Sequence, residues 1–200
     1  MISEHVTDFS QDGEQEWILR SVPEVGRFLD IGAWHATKFS NVRALFLQGW
    51  SGVLVEPHPD HAARLRRAYE RHPSVVVMEC AVALRAGRRL LHATDDAVST
   101  MDLVTREKWR EAAVYDREVL VECSTLEQVY DAAGPFDFVS IDAEGFSVDL
   151  AVRLFELPVR LPVCVCVEYD DRMGEVLDAA ARARYRQVFS NGTNVVLQAQ

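Results

Sequence analysis

The 200-residue chain has no CxxC pair among its four cysteines, no excess of basic charge and no apolar run of membrane-spanning length. Each absence excludes something. Cys80, Cys123, Cys164 and Cys166 lack the spacing of a zinc or redox site. Cys164 and Cys166 stand two apart in a strand-like run, so they share a face and read as buried, reduced thiols of a cytoplasmic protein. A formal net charge of −10 speaks against a general affinity for nucleic-acid phosphates. Nothing near Met1 joins a charged segment to an apolar one, so neither a secretion signal nor a membrane anchor is expected. No internal repeat or low-complexity linker divides the chain. With 48% hydrophobic content, residues 1–200 are expected to build one domain with a full core.

What the chain does contain is alternation. Apolar runs at Phe28–Ile31, Gly52–Val55, Val75–Met78, Phe136–Ile141 and Val163–Val167 read as central parallel strands, covered on both faces. Between them lie amphipathic stretches at about Ser40–Gln48, at Ala62, Leu65 and Tyr69, at Leu126–Ala133 behind a Ser124/Glu127 capping box, at Ser147–Phe155 and at Arg172–Ala183. Tyr185–Phe189 and Val195–Leu197 flank Asn191-Gly192, a hairpin signal. The pattern is an α/β fold, a Rossmann-like sheet that is mostly parallel and ends in an antiparallel hairpin, with helices on both faces. Residues 84–122 break the rhythm. Arg88–Ala93 and Glu118–Glu122 suit strands and Thr105–Ala113 a charged helix, so the insertion is either a lid over a site or an edge hairpin with a solvated turn.

Residues 28–57 carry the strongest functional signal. A strand stops at a turn around Gly32, a helix follows, and a second strand ends on Glu56. A carboxylate at that strand tip can accept both hydroxyl protons of an adenosine ribose. A dinucleotide fingerprint from Gly32 would need glycine at positions 34 and 37, where this chain has Trp34 and Thr37. The Trp side chain blocks the backbone approach that a pyrophosphate requires. A cofactor with adenosine and no pyrophosphate, such as S-adenosylmethionine, needs less room. Asp30 could then serve its amino acid end, directly or through water.

The segments SQDGEQEWIL at 10–19, FLDIGAWHATKFSNVRALFLQGWSGVLVEPHP at 28–59, TLEQVYDAAGPFDFVSIDAEGFSVDLAVRLF at 125–155 and VCVCVEYDD at 163–171 resemble the FkbM family of class I S-adenosylmethionine-dependent methyltransferases. The resemblance implies a seven-stranded sheet with an antiparallel last strand, and O-methylation of a hydroxyl on a sugar or small natural product. It places Asp30, Gly32 and Ala33 in the first cofactor motif, Glu56 on the ribose and Ala81 near the adenine. It places Asp142 and Glu144 in the family's DxEG element. Relatives usually carry a small polar residue and a second glycine after Gly32, where this chain has Trp34, His35 and Ala36.

Methyl transfer to an alcohol needs close, in-line positioning and a group to take the hydroxyl proton. Asp142 is expected to contact the acceptor hydroxyl or the cofactor amine, with Glu144 orienting the acceptor; the bland reading has Glu144 capping the helix near Ser147. His35 is a further candidate base beside the cofactor turn. His58 and His61 read as the start of a surface helix without chemistry. Glu168, Asp170 and Asp171 end the next strand and could join Asp142 around a hard cation such as Mg2+, although charged strand ends are commonly just solvated. The metal reading is the less favoured one. Gln11 and Glu14 precede a short helix with Trp17 and Ile18, either a cover over the cleft or a docked helix with its polar residues in water. The Arg64, Arg66, Arg67 and Arg71 cluster is the outer face of a helix.

The partner is therefore expected to be a small-molecule acceptor. Two other classes compete on the same sequence: an NAD- or nucleotide-sugar-linked oxidoreductase, disfavoured by the missing glycines, and a non-catalytic cofactor-binding module, for which Trp34 and Ala36 are the support. Paired titrations with the two cofactors discriminate the first, and cofactor binding without turnover would favour the second.

Overall fold

A computed structural model describes residues 7–200, so the expectation made for the chain near Met1 falls outside the described residues. In chain order the elements are α1 (Glu14–Ser21), β1 (Arg27–Ile31), α2 (Arg43–Leu47), β2 (Ser51–Val55), α3 (Pro59–Ala68), β3 (Val75–Met78), β4 (Ala81–Val82), β5 (Gly87–Ala93), α4 (Leu103–Trp109), β6 (Arg117–Ser124), α5 (Leu126–Ala133), β7 (Phe138–Ile141), α6 (Ser147–Glu156), β8 (Cys164–Glu168), α7 (Met173–Arg182), β9 (Tyr185–Ser190) and β10 (Asn194–Ala199). Seven strands form one sheet in the order β3-β2-β1-β7-β8-β10-β9. The first five run parallel; β10 lies antiparallel to β8, and β9 to β10. The order reverses between β1 and β7. In open parallel sheets, the crevice outside the carboxyl ends at such a reversal is where ligands settle.

Alternate residues of each strand feed opposite faces, as the two-residue period requires. Leu29, Ile31, Val53, Val139, Val165 and Leu197 pack under α5, α6 and α7. Phe28, Leu54, Phe138, Cys166 and Val196 pack under α1, α2 and α3, with Trp50 closing the layer at 1% exposure. All four cysteines are buried and free. Asp30, Ser140 and Cys166 are register neighbours on this second face, and the Asn41 amide donates to the Ser140 hydroxyl at 3.2 Å.

Several local expectations shift. The helix expected from Ser40 begins at Arg43, and the Ser40 N–H donates to the Phe9 carbonyl at 2.8 Å. The capping box moves by one residue. Thr125 and Gln128 make the reciprocal pair, while Ser124 ends β6 and pairs with Val82. Phe136 precedes its strand and is fully buried against the Tyr130 ring. His58 and His61 do stand at a helix start, but both are buried, with rings stacked 4.0 Å apart. Glu14 is buried too. It accepts from the side-chain amides of Asn191 and Asn194, each at 2.7 Å, so Glu14 is withdrawn from water while Gln11, Glu16 and Arg20 stay exposed.

Residues 84–122 contain both expected strands. β5 and β6 form an antiparallel hairpin, and β6 also pairs in parallel with β4, giving a second sheet of order β4-β6-β5. The connection between β5 and β6 is not a solvated turn. It carries α4 back across the carboxyl ends of the large sheet, where the Thr100 hydroxyl donates to the Glu144 carbonyl at 2.8 Å.

Candidate functional site

The turn after β1 is dictated by steric contact. Gly32 has a φ of 83°, and its N–H donates to the Val55 carbonyl at 2.9 Å. A Cβ on Gly32 would stand 1.7 Å from the carbonyl oxygen of Asp142, so no side chain fits between β1 and β7 here. Ala33 follows, its N–H on the same Val55 carbonyl at 3.1 Å. Trp34 then takes a left-handed φ of 39°, uncommon for a bulky residue. Its N–H donates to Oε2 of Glu56 at 2.9 Å, and its ring stacks on Phe39 under the Lys38 ammonium.

Glu56 ends β2 and is 4% exposed. Its other oxygen, Oε1, accepts from the His58 N–H at 2.8 Å. Burial pushes its carboxyl up to about 7, against the downward pull of those two N–H groups. Beside it runs an apolar cavity lined by Ile31, Val55, Ala81, Leu91 and Met101. His61 also lines this cavity, 0% exposed, with Nδ1 3.9 Å from Glu56 and neither ring nitrogen hydrogen-bonded. Burial pushes His61 down to about 4.

A second, more polar cavity adjoins the first, sharing Gly32, Trp34, Asp142 and Glu144. Its floor is acidic. β7 and β8 pair in parallel with Ile141 opposite Val167, so the next residues, Asp142 and Glu168, come out side by side. A left-handed turn, φ 30° at Glu144 and 91° at Gly145, brings Glu144 back to them. One oxygen from each of Asp142, Glu144 and Glu168 lies within 4.8 Å of the others. Burial raises all three carboxyls, and mutual repulsion adds to it; Glu144 reaches about 8. Among the described residues no side chain, Glu144 included, caps the helix after this turn; the Ser147 Oγ accepts from the Ala143 N–H at 2.8 Å and ties the turn. Glu144 instead receives the indole N–H of Trp109 at 3.3 Å. Gly145 admits no Cβ, which would lie 2.5 Å from Oγ1 of Thr105.

The sequence candidates thus separate. Glu56 and Ala81 line the apolar cavity, Ala33 the polar one, and Gly32, Asp142 and Glu144 both. Asp30 is 5% exposed beneath the turn and lines neither; burial raises its carboxyl to about 6, with Ser140 pulling it down. His35 is exposed and lines neither. Its Nδ1 accepts from the N–H groups of Thr37 and Lys38 and so shapes its own loop. Gln11 lines the polar cavity. Glu168 is 8% exposed, against the solvated strand end expected. Lys108, Trp109 and Thr100 come from the insertion and were not foreseen, because nothing in their spacing marks them.

The carboxyl-end crevice of this sheet has relatives. The sequence profile of the methyltransferase FkbM domain matches residues 30–149. A methyltransferase FkbM from Methylobacillus flagellatus is 13% identical with a TM-score of 0.52, the match covering 87% of this chain and 43% of that one. A precorrin-6y C5,15-methyltransferase from Geobacter metallireducens is 9% identical with a TM-score of 0.52, covering 98% and 92%. A putative methyltransferase from Escherichia coli is 12% identical with a TM-score of 0.53, covering 98% and 87%. At these identities the structures share the fold, and this chain spans less than half the length of the Methylobacillus protein. No curated protein matches the sequence. Among the described residues no helix is long and apolar enough to cross a membrane. The profile starts at Asp30 and takes in the Gly32 turn, Glu56 and the DxEG turn, which wall the two cavities, and the chain belongs to the FkbM methyltransferase family.

Proposed function

We propose that this chain is an S-adenosylmethionine-dependent O-methyltransferase acting on a hydroxyl of a sugar or small natural product. The observation that carries the reading is the buried Glu56 carboxylate at the tip of β2, facing an apolar cavity one turn from Gly32. Its two oxygens each accept one backbone N–H. A carboxylate offers about four lone-pair sites, so two remain for the ribose hydroxyls. Ala81, Leu91 and Met101 suit an adenine face. The residues present fit the cofactor.

When bound, S-adenosylmethionine supplies an electrophilic methyl group on a positively charged sulfur. Asp142 and Glu144 orient the acceptor hydroxyl on the floor of the polar cavity, and the proton it gives up passes to one of these carboxylates. His35, pointing into its own loop, has no part in proton transfer. Lys108 and Trp109 reach over that floor from the insertion, which we assign as the cover that selects the acceptor. The four buried thiols support a reducing, cytoplasmic setting.

Calorimetric titration with S-adenosylmethionine and with S-adenosylhomocysteine tests the cofactor, and transfer of a labelled methyl group to a panel of sugars and phenolic or polyketide alcohols tests the acceptor. Saturable binding of both ligands with methylation of a hydroxyl is the expected result. No binding of either ligand overturns the reading.

A further inference from the structure

We propose that Asp142, Glu144 and Glu168 form a binding site for one hard divalent metal ion (magnesium, manganese or calcium) at the floor of the polar cavity. This site lies within the cavity just described but does not require the methyl-transfer reading, because it rests on its own ligand set.

The first support is geometric. The three carboxylates come from two adjacent strand ends and a tight turn, and one oxygen of each falls within 4.8 Å of the others. Two oxygens on opposite sides of an ion held at about 2.1–2.5 Å stand about 4–5 Å apart, so the trio spans one coordination sphere. The second support is independent of their number. Glu168 is 8% exposed, and its Oε2 has no hydrogen-bond partner; Oδ1 of Asp142 is likewise buried and without one. Buried polar atoms are almost always satisfied, so each orphan needs an account. A proton shared between Asp142 and Glu168 is the competing account of these two orphans, and it predicts no Mn2+ binding. Among the described residues no ion pair reaches any of the three. The neighbouring donor is the Trp109 indole, which reaches Glu144, and the cation lining the cavity is Lys108.

The donor chemistry fixes the class of ion. Oxygen ligands alone, without histidine or cysteine, suit magnesium, manganese and calcium rather than zinc or copper. Three protein oxygens leave coordination positions directed at the cavity, to be filled by water or by oxygens of an acceptor.

The test uses the full chain freed of metal, without cofactor or acceptor. Titration with Mn2+, followed by loss of the free-ion electron paramagnetic resonance signal, is expected to show one ion per chain at submillimolar concentration. Glu168→Gln should weaken that binding at least tenfold, and the ion should raise the melting temperature of the wild type but not of the variant. Glu144→Gln, at a less buried position, makes the same test should Glu168→Gln not fold. Competition by Mg2+ and Ca2+ ranks the ions. No bound Mn2+ in the wild type at millimolar concentration overturns the proposal, as does binding that survives both substitutions. Loss of cofactor binding with Mn2+ binding intact would count against the methyl-transfer reading and leave the ion site standing.

Discussion

The backbone N–H of Trp34 donates to Oε2 of Glu56 across 2.9 Å, joining the turn after β1 to the tip of β2. Trp34 is the bulky residue of that turn, and Glu56 is the residue on which the cofactor reading turns. The bulky side chain is accommodated by a left-handed backbone that aims the amide inward and sends the indole onto Phe39.

Glu56→Gln places an amide NH2 or a single carbonyl where two N–H donors now meet two carboxylate oxygens. One donor pair must face another. Affinity for S-adenosylmethionine is expected to fall by about 1.5–3 kcal/mol, tenfold or more. Calorimetry checks it, with circular dichroism as the control for folding; unchanged affinity removes Glu56 from the ribose.

The same carboxyl sets a pH dependence with two opposed signs. Cofactor hydroxyls are held by the ionised form, so affinity should decline as pH falls through about 7, and this decline should vanish in Glu56→Gln. Stability of the unliganded protein runs the other way. Glu56 and Asp30 titrate near 7 and 6 in the fold, against 4.5 and 3.8 as reference values for an open chain. Over that interval these two carboxyls bind more protons in the fold than in the unfolded state. Together they outweigh buried His61, which is pushed down to about 4 and acts with the opposite sign, so stability is lost as pH rises from about 4 through 7. Urea midpoints measured across this range check the sign; a rise with pH would contradict it.

Gly32→Ala drives a methyl group to 1.7 Å from the Asp142 carbonyl at a φ of 83°. The left-handed conformation alone costs about 1–2 kcal/mol in a residue with a Cβ, and overpacking adds about 1–3 kcal/mol. A loss of stability of at least about 2 kcal/mol is expected by denaturant unfolding, together with loss of cofactor binding. Gly174→Ala, where nothing lies within 4 Å of the added carbon, is the matched control and should be neutral or better.

Trp109→Phe keeps the ring and removes the N–H that reaches Glu144. Removing an ordinary hydrogen bond costs about 0.5–1.5 kcal/mol, so kcat/KM for the acceptor should drop roughly two- to tenfold. Affinity for S-adenosylhomocysteine should stay as in the wild type. A parallel loss of both would mean that Trp109 supports the fold and not acceptor handling.

The sheet was legible because its strands are apolar on both faces, which leaves little ambiguity about Phe28–Ile31 or Val163–Val167. The carboxylates at 56, 142, 144 and 168 were legible for the same reason: each follows directly on an apolar run, or lies three residues past one. Element ends were less so. Ser124 looks like a cap until the pairing of β6 with β4 consumes its backbone, and Ser40 looks helical while its N–H goes to Phe9. These are tertiary hydrogen bonds, without a local signature. The same holds for Trp109 and Thr100, which reach Glu144 over separations of 35 and 44 residues. His61 was passed over because a histidine at a helix start gives no hint that the cavity wall will close over it.

The contact between Gly32 and the Asp142 carbonyl also bears on how this scaffold could be retargeted. With no space for even one carbon, the two strand ends move as a single block, and variation there is penalised twice, once in each half of the crevice. The stretch from Lys108 to Ala113, which lines the polar cavity and not the apolar one, is under no such constraint. A library confined to that stretch would reshape acceptor choice while leaving the donor's berth untouched.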